Sequence, residues 1–143
     1  MTKETWTRAL VQLDISLATL KRVVPAEPMP RAHLCIESLH RTLGHLTSCQ
    51  AAWIPILRAI AEGKSETAIP IHPNPLFSKL GFATTPWHDL LARFESERVE
   101  WKALLANVDI SQPIKTPKRV YTAQNLTRRV TEHEKNHLAA HGL

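Results

Sequence analysis

Four stretches of this chain repeat apolar residues at the period of an α-helix, and clusters of proline separate them. A stripe that returns every three or four residues can be buried along one side of a helix but not on one face of a strand. In the first stretch, residues 2–24, Trp6, Leu10, Leu13, Leu17, Leu20 and Val24 advance by alternate steps of four and three. Pro25, Pro28 and Pro30 end it, because proline has no amide proton and clashes with the preceding turn. The second, residues 31–61, carries Leu39, Leu43, Leu46, Gln50, Trp53 and Leu57 on one face. Arg41, Gly44, Ser48, Arg58 and Glu62 mark its other face. Pro55 predicts a kink there, and Gly63 closes it. The third takes Thr85 as N-cap and Pro86 as its first helical residue. Trp87, Leu90, Leu91, Phe94, Trp101, Leu104, Leu105 and Val108 form its apolar face. The fourth begins near Thr122 and runs almost to the end.

The connections are unequal. Residues 63–85 form a long, proline-bearing link in which Asn74-Pro75 predicts a short helical turn through Leu80. A link of this length in a small domain usually covers a site. Phe77, Leu80 and Phe82 make it a candidate apolar wall for a substrate. Residues 109–121 read as a second loop, and no stretch alternates as a strand does. The expected architecture is all-α, a four-helix bundle. A chain of 143 residues has room for one domain, residues 1–143, and not for two comfortable ones.

Several function classes are set aside by composition. No apolar run approaches the length of a membrane span. Lys3, Glu4 and Arg8 on an amphipathic start are unlike a signal peptide. Cys35 and Cys49 fall in one predicted helix, about 21 Å apart along its axis, too far to pair within a monomer. A reduced, cytoplasmic setting is the expectation. The formal charge of +5 raises nucleic acid as a partner. The basic residues are scattered, however, the densest groups being Lys115, Lys118 and Arg119, and Arg128 and Arg129. No aromatic residues interleave with them, so a solvated surface is the reading and nucleic acid is not expected. Arg98 lies on the apolar face of the third helix. It is expected to snorkel to water, the alternative being a polar site inside the bundle.

The fourth helix carries His133-Glu134-Lys135-Asn136-His137, an H-E-x-x-H pattern. Histidines four apart on a helix stand one above the other and can share a metal ion. The zinc-protease reading fails on geometry. Its third ligand comes from downstream, but only six residues follow His137, and Ala140 stands where a turn glycine is needed. A third protein ligand is expected from upstream. Leu126, Val130, His133 and His137, then Ala140 or His141, follow the core period, whereas Arg128, Arg129, Thr131, Glu132, Lys135 and Asn136 lie off it. Two histidines in core positions want a shared partner, and a metal supplies one. Among the five upstream histidines, His33, His40, His45, His72 and His88, periodicity leans toward His45. It aligns with Thr42, Cys49, Ala52 and Ile56, a line of apolar or small residues. Cys49 reads first as a small core residue, with a fourth ligand or nearby thiol as the alternative.

Two segments carry a family resemblance: Leu43-Gly44-His45 through Leu57-Arg58, and Leu126 through His133-Glu134-Lys135-Asn136-His137-Leu138. With the proline-aromatic start at Pro86-Trp87, they resemble the DinB/YfiT-like superfamily of metal-binding four-helix bundles, in order and spacing along essentially the whole chain. The resemblance implies a three-histidine site from His45, His133 and His137. It implies a divalent ion such as zinc, nickel or iron, with open coordination positions. It further implies hydrolase-like activity, or transferase or isomerase activity with a low-molecular-weight thiol, and often a homodimer. Glu134 is then a candidate base or a partner of the ligands. The expected function is a metal-dependent hydrolase or thiol-dependent transferase on a small substrate. The alternative is a non-catalytic bundle with a structural or sensory ion.

Overall fold

Helix signals read from the sequence become five α-helices in the computed structural model, which describes residues 2–23, 38–63, 73–115 and 119–143. They are α1 (Lys3–Arg22), α2 (Leu39–Ala61), α3 (Pro73–Lys79), α4 (Trp87–Ala106) and α5 (Ala123–Ala139). A 3₁₀ turn, Phe82–Thr84, precedes α4. None of the described helices is long and apolar enough to cross a membrane. The first part of the predicted second helix, with His33 and Cys35, lies outside the described residues, as do His72 and most of the link ahead of α3.

Short polar side chains set the helix starts, because the first four amide protons of a helix have no partner within it. Thr2 accepts from the Thr5 amide in α1 and Ser38 from the Arg41 amide in α2. Thr122 and Asn125 form a reciprocal capping box at α5. The start of α4 differs by one residue: Pro86 is the cap and Trp87 the first helical residue. The expected cap, Thr85, instead donates its hydroxyl to the Gly81 carbonyl at 2.9 Å.

The long helices do not pack in chain order. Among the described residues, α1 packs on α5 and α4, and α2 packs on α4 and α5. The consecutive pairs α1–α2 and α4–α5 therefore face each other across the diagonal. The helix α3 lies on α2. One apolar cluster centres on Leu13, Ile56, Leu57, Trp101 and Leu126, the other on Leu20, Leu43, Leu46, Leu90 and Phe94.

Three sequence expectations need correction. The buried line of α1 is Ala9, Leu13, Ser16 and Leu20, while Leu10 is 37% exposed. The bundle thus faces a line rotated from the apolar stripe, with a serine on it. The loop at 109–121 contains a two-stranded antiparallel hairpin, β1 (Ile114–Lys115) with β2 (Val120–Tyr121), in which Ile114 faces Tyr121. Strands of two residues are too short to display alternation, although Ile114 and Tyr121 are both buried in the core. Phe82 is no substrate wall. It is 2% exposed and belongs to the second core cluster, where Phe77 and Leu80 pack partly buried against it.

Arg98 is the fourth correction, and it shapes the centre of the bundle. Its side chain does not snorkel; it is 1% exposed. Its Nε donates to Gln50 Oε1 on α2 at 2.7 Å and its Nη1 to the Leu13 carbonyl on α1 at 3.0 Å. Its Nη2 donates to the Glu134 carboxylate on α5. One residue of α4 is thereby bonded to all three other long helices.

Candidate metal centre

Packing α2 beside α5 brings His45 against His133 and His137. The Nε2 atom of His133 lies 3.2 Å from Nε2 of His45 and 3.1 Å from Nε2 of His137. The three rings meet edge to face, with centroids 4.4–5.0 Å apart. Cys49 stands one turn after His45 on the same side of α2, its Sγ 3.7 Å from His45 Nε2. The donor atoms of His45, Cys49 and His133 all lie within 4.8 Å of one another and can hold a metal ion. Trp53 borders the group, its ring edge-on to His133 at 6.2 Å.

Hydrogen bonds among the three rings cannot satisfy both contacts of His133 at once. A neutral imidazole nitrogen offers either one proton or one lone pair, so His133 Nε2 can bond well to one of its two neighbours but not both. A cation held by the three rings would resolve the conflict, because each could then offer it a lone pair. The spacing agrees: nitrogens bonded to one ion at about 2.0–2.1 Å stand about 2.9 Å apart across a right angle and about 3.3 Å across a tetrahedral one.

The surroundings of the three rings favour their neutral form. Burial, and then the charges of His137 and His45, press His133 down to about 4. His45 is lowered by burial, then by His137 and Arg41, and His137 by burial, then by His141. All three shifts favour the neutral imidazole, the form a metal ligand takes. Burial, with a smaller part from the Glu134 charge, pushes the Cys49 thiol up to about 12.

The remaining expected residues go elsewhere. His40 is buried and its Nε2 bonds the Thr85 carbonyl at 2.7 Å, tying the start of α2 to the approach of α4. His141 Nε2 contacts Thr42 Oγ1 at 2.7 Å. His88 is exposed on the first turn of α4. On α5 the buried line is Leu126, Thr127, Val130, Thr131, Glu134 and Leu138, with His133 and His137 half-buried on its flank. Thr131, expected on the outer side, is buried and returns its hydroxyl to the Thr127 carbonyl at 3.0 Å. Glu134 is 2% exposed and engaged by Arg98. Burial raises its carboxyl above the ordinary range, and the guanidinium and Ser16 pull it back. Sequence reasoning missed this network of Arg98, Gln50 and Glu134. Its signal was present, in that Arg98 and Gln50 both occupied apolar faces.

Comparison with known proteins agrees with this architecture. Superposed on a solved structure, YfiT from Bacillus subtilis, the chain gives a TM-score of 0.80 at 15% identity, over 98% of this chain and 85% of that one. YfiT is described as a probable metal-dependent hydrolase with an unusual four-helix bundle topology. At that identity the likeness speaks to fold. No curated protein matches the sequence. The family model of the DinB superfamily matches residues 2–140, and this chain accordingly belongs to the DinB superfamily.

Proposed function

We propose that this protein binds a divalent transition metal, zinc, nickel or iron, through His45, His133 and His137, and acts as a metal-dependent hydrolase or thiol-dependent transferase on a small substrate. The observation that carries this reading is the shared contact at His133 Nε2, 3.2 Å from His45 and 3.1 Å from His137. An ion held by these histidines would supply a Lewis acid able to make water or a low-molecular-weight thiol nucleophilic near neutral pH. The chain's own residues hold and orient. The histidines supply neutral nitrogens, and Trp53 borders His133 edge-on. Of the two roles expected for Glu134, its bond to Arg98 favours fixing α5 in place over acting as a base. The description of YfiT as metal-dependent supports the same reading. A homodimer of single-domain chains is part of the proposal, and sedimentation of the purified protein tests it.

A second reading, a non-catalytic bundle with a structural or sensory ion, is favoured by one observation, the Cys49 sulfur beside His45. Elemental analysis is the first test. Protein purified without chelator is expected to hold stoichiometric metal, and His133→Ala to lose it. A metal-free protein that takes up none on reconstitution overturns the three-histidine site. Holo and chelated protein compared across thiol and ester substrates then separate the two readings: only a catalytic ion gives turnover that chelation abolishes.

A further inference from the structure

We propose that Cys49 is a fourth protein ligand, so that the ion bound by His45, His133 and His137 sits in a three-nitrogen, one-sulfur shell; this rests on the metal-binding reading above. Three observations converge. Cys49 follows His45 by four residues within α2, so both side chains leave the helix on one side, a turn apart. Its Sγ is 3.7 Å from His45 Nε2. A nitrogen at about 2.0–2.1 Å and a sulfur at about 2.3 Å from one tetrahedral ion stand about 3.6 Å apart. Finally, the sulfur shares its neighbourhood with His45 on its own helix and His133 on α5, the ligand atoms of these three all lying within 4.8 Å of one another; His137 is not in that group and reaches the shell through His133, 3.1 Å away.

The chemistry is a simple exchange. The S–H bond breaks, a metal–sulfur bond forms, and the proton passes to solvent, with nothing oxidised or reduced. A thiolate among imidazoles selects borderline or soft ions such as zinc over magnesium, calcium or manganese. It also closes a tetrahedral shell. A substrate must then enter as a fifth ligand or displace the sulfur, which makes Cys49 the residue that sets access to the ion.

Cobalt(II) added to the metal-free protein reads this directly. Wild type is expected to show a thiolate-to-cobalt charge-transfer band in the near ultraviolet. Cys49→Ser should still bind cobalt but lose the band, with affinity lower by at least the roughly 10–100-fold that removal of an outer partner of a metal ligand costs. Cys35 is unchanged in that variant, so loss of the band assigns the sulfur. X-ray absorption of the zinc-loaded wild type needs no variant and should show one sulfur at about 2.3 Å. Uptake of cobalt or zinc with nitrogen and oxygen neighbours alone overturns the role of Cys49 and leaves the three-histidine site standing. No uptake by wild type overturns both.

Discussion

At His133 a single ring nitrogen stands between two others, 3.2 Å and 3.1 Å away, and its protonation is coupled to folding. Its folded value is depressed from 6.5 to about 4, so below 6.5 the unfolded chain takes up a proton that the folded one refuses. Stability present above pH 6.5 is therefore expected to fall as pH drops toward about 4. Thermal melts of the metal-free protein across that window should slope accordingly, and His133→Gln should flatten the slope. A variant as steep as wild type would show that other groups carry it. Arg98 gives a second test. Arg98→Met strands Glu134, a buried carboxylate, and is expected to cost about 3–5 kcal/mol in urea unfolding. Replacing both, Arg98→Met with Glu134→Met, should recover most of that loss, since the cost lies in the unpaired charge. At this scale periodicity leaned toward His45, which continues an apolar line on its own helix, and the family resemblance made the choice among the upstream histidines. The burial of Glu134 was not legible, because the partner that permits it comes from another helix.

Between elements, α3 packs closely on α2 at Gly44. A methyl group at Gly44 would meet Phe77 Cε2 at 2.6 Å, and the Arg41 guanidinium lies over that ring, 5.0 Å from its centroid. Gly44→Ala is expected to gain about 0.5–1 kcal/mol of helix preference and lose about 1–3 kcal/mol to overpacking, a net loss. With Phe77→Ala in the background the sign should reverse, and a cycle of four unfolding curves checks it. An equal effect in both backgrounds would mean that the ring moves aside freely. The helix α5, which carries two of the three histidines, depends on its cap. Thr122→Ala should lower stability by about 1 kcal/mol, read from the same denaturant curves. Helix starts at Thr2 and Thr122 were readable because a cap is local chemistry among residues three or four apart. The hairpin of β1 and β2 was not, because Ile114 and Tyr121 are drawn together by the core beneath them.

For the molecule as a whole, the two apolar clusters and the Arg98 network exclude His45, His133 and His137. Chelation is therefore expected to leave the helical circular dichroism intact while lowering the melting temperature. The difference is set by binding, about 2.7 kcal/mol at a metal concentration 100 times Kd. Unfolding on chelation would instead make the ion structural. The bundle itself was written in the sequence: four apolar stripes at helical period, divided by prolines, admit little else. So was the pairing of His133 with His137, since residues four apart on one helix meet whatever surrounds them. Which helices would be neighbours was decided in three dimensions. Only the packing of α2 against α5 sets His45 and Cys49 before that pair, and only the diagonal from α4 to α5 gives Arg98 its carboxylate. The physical reason is range: periodicity and capping act within a few residues of chain, whereas the choice of partner face depends on how four amphipathic surfaces bury one another at once.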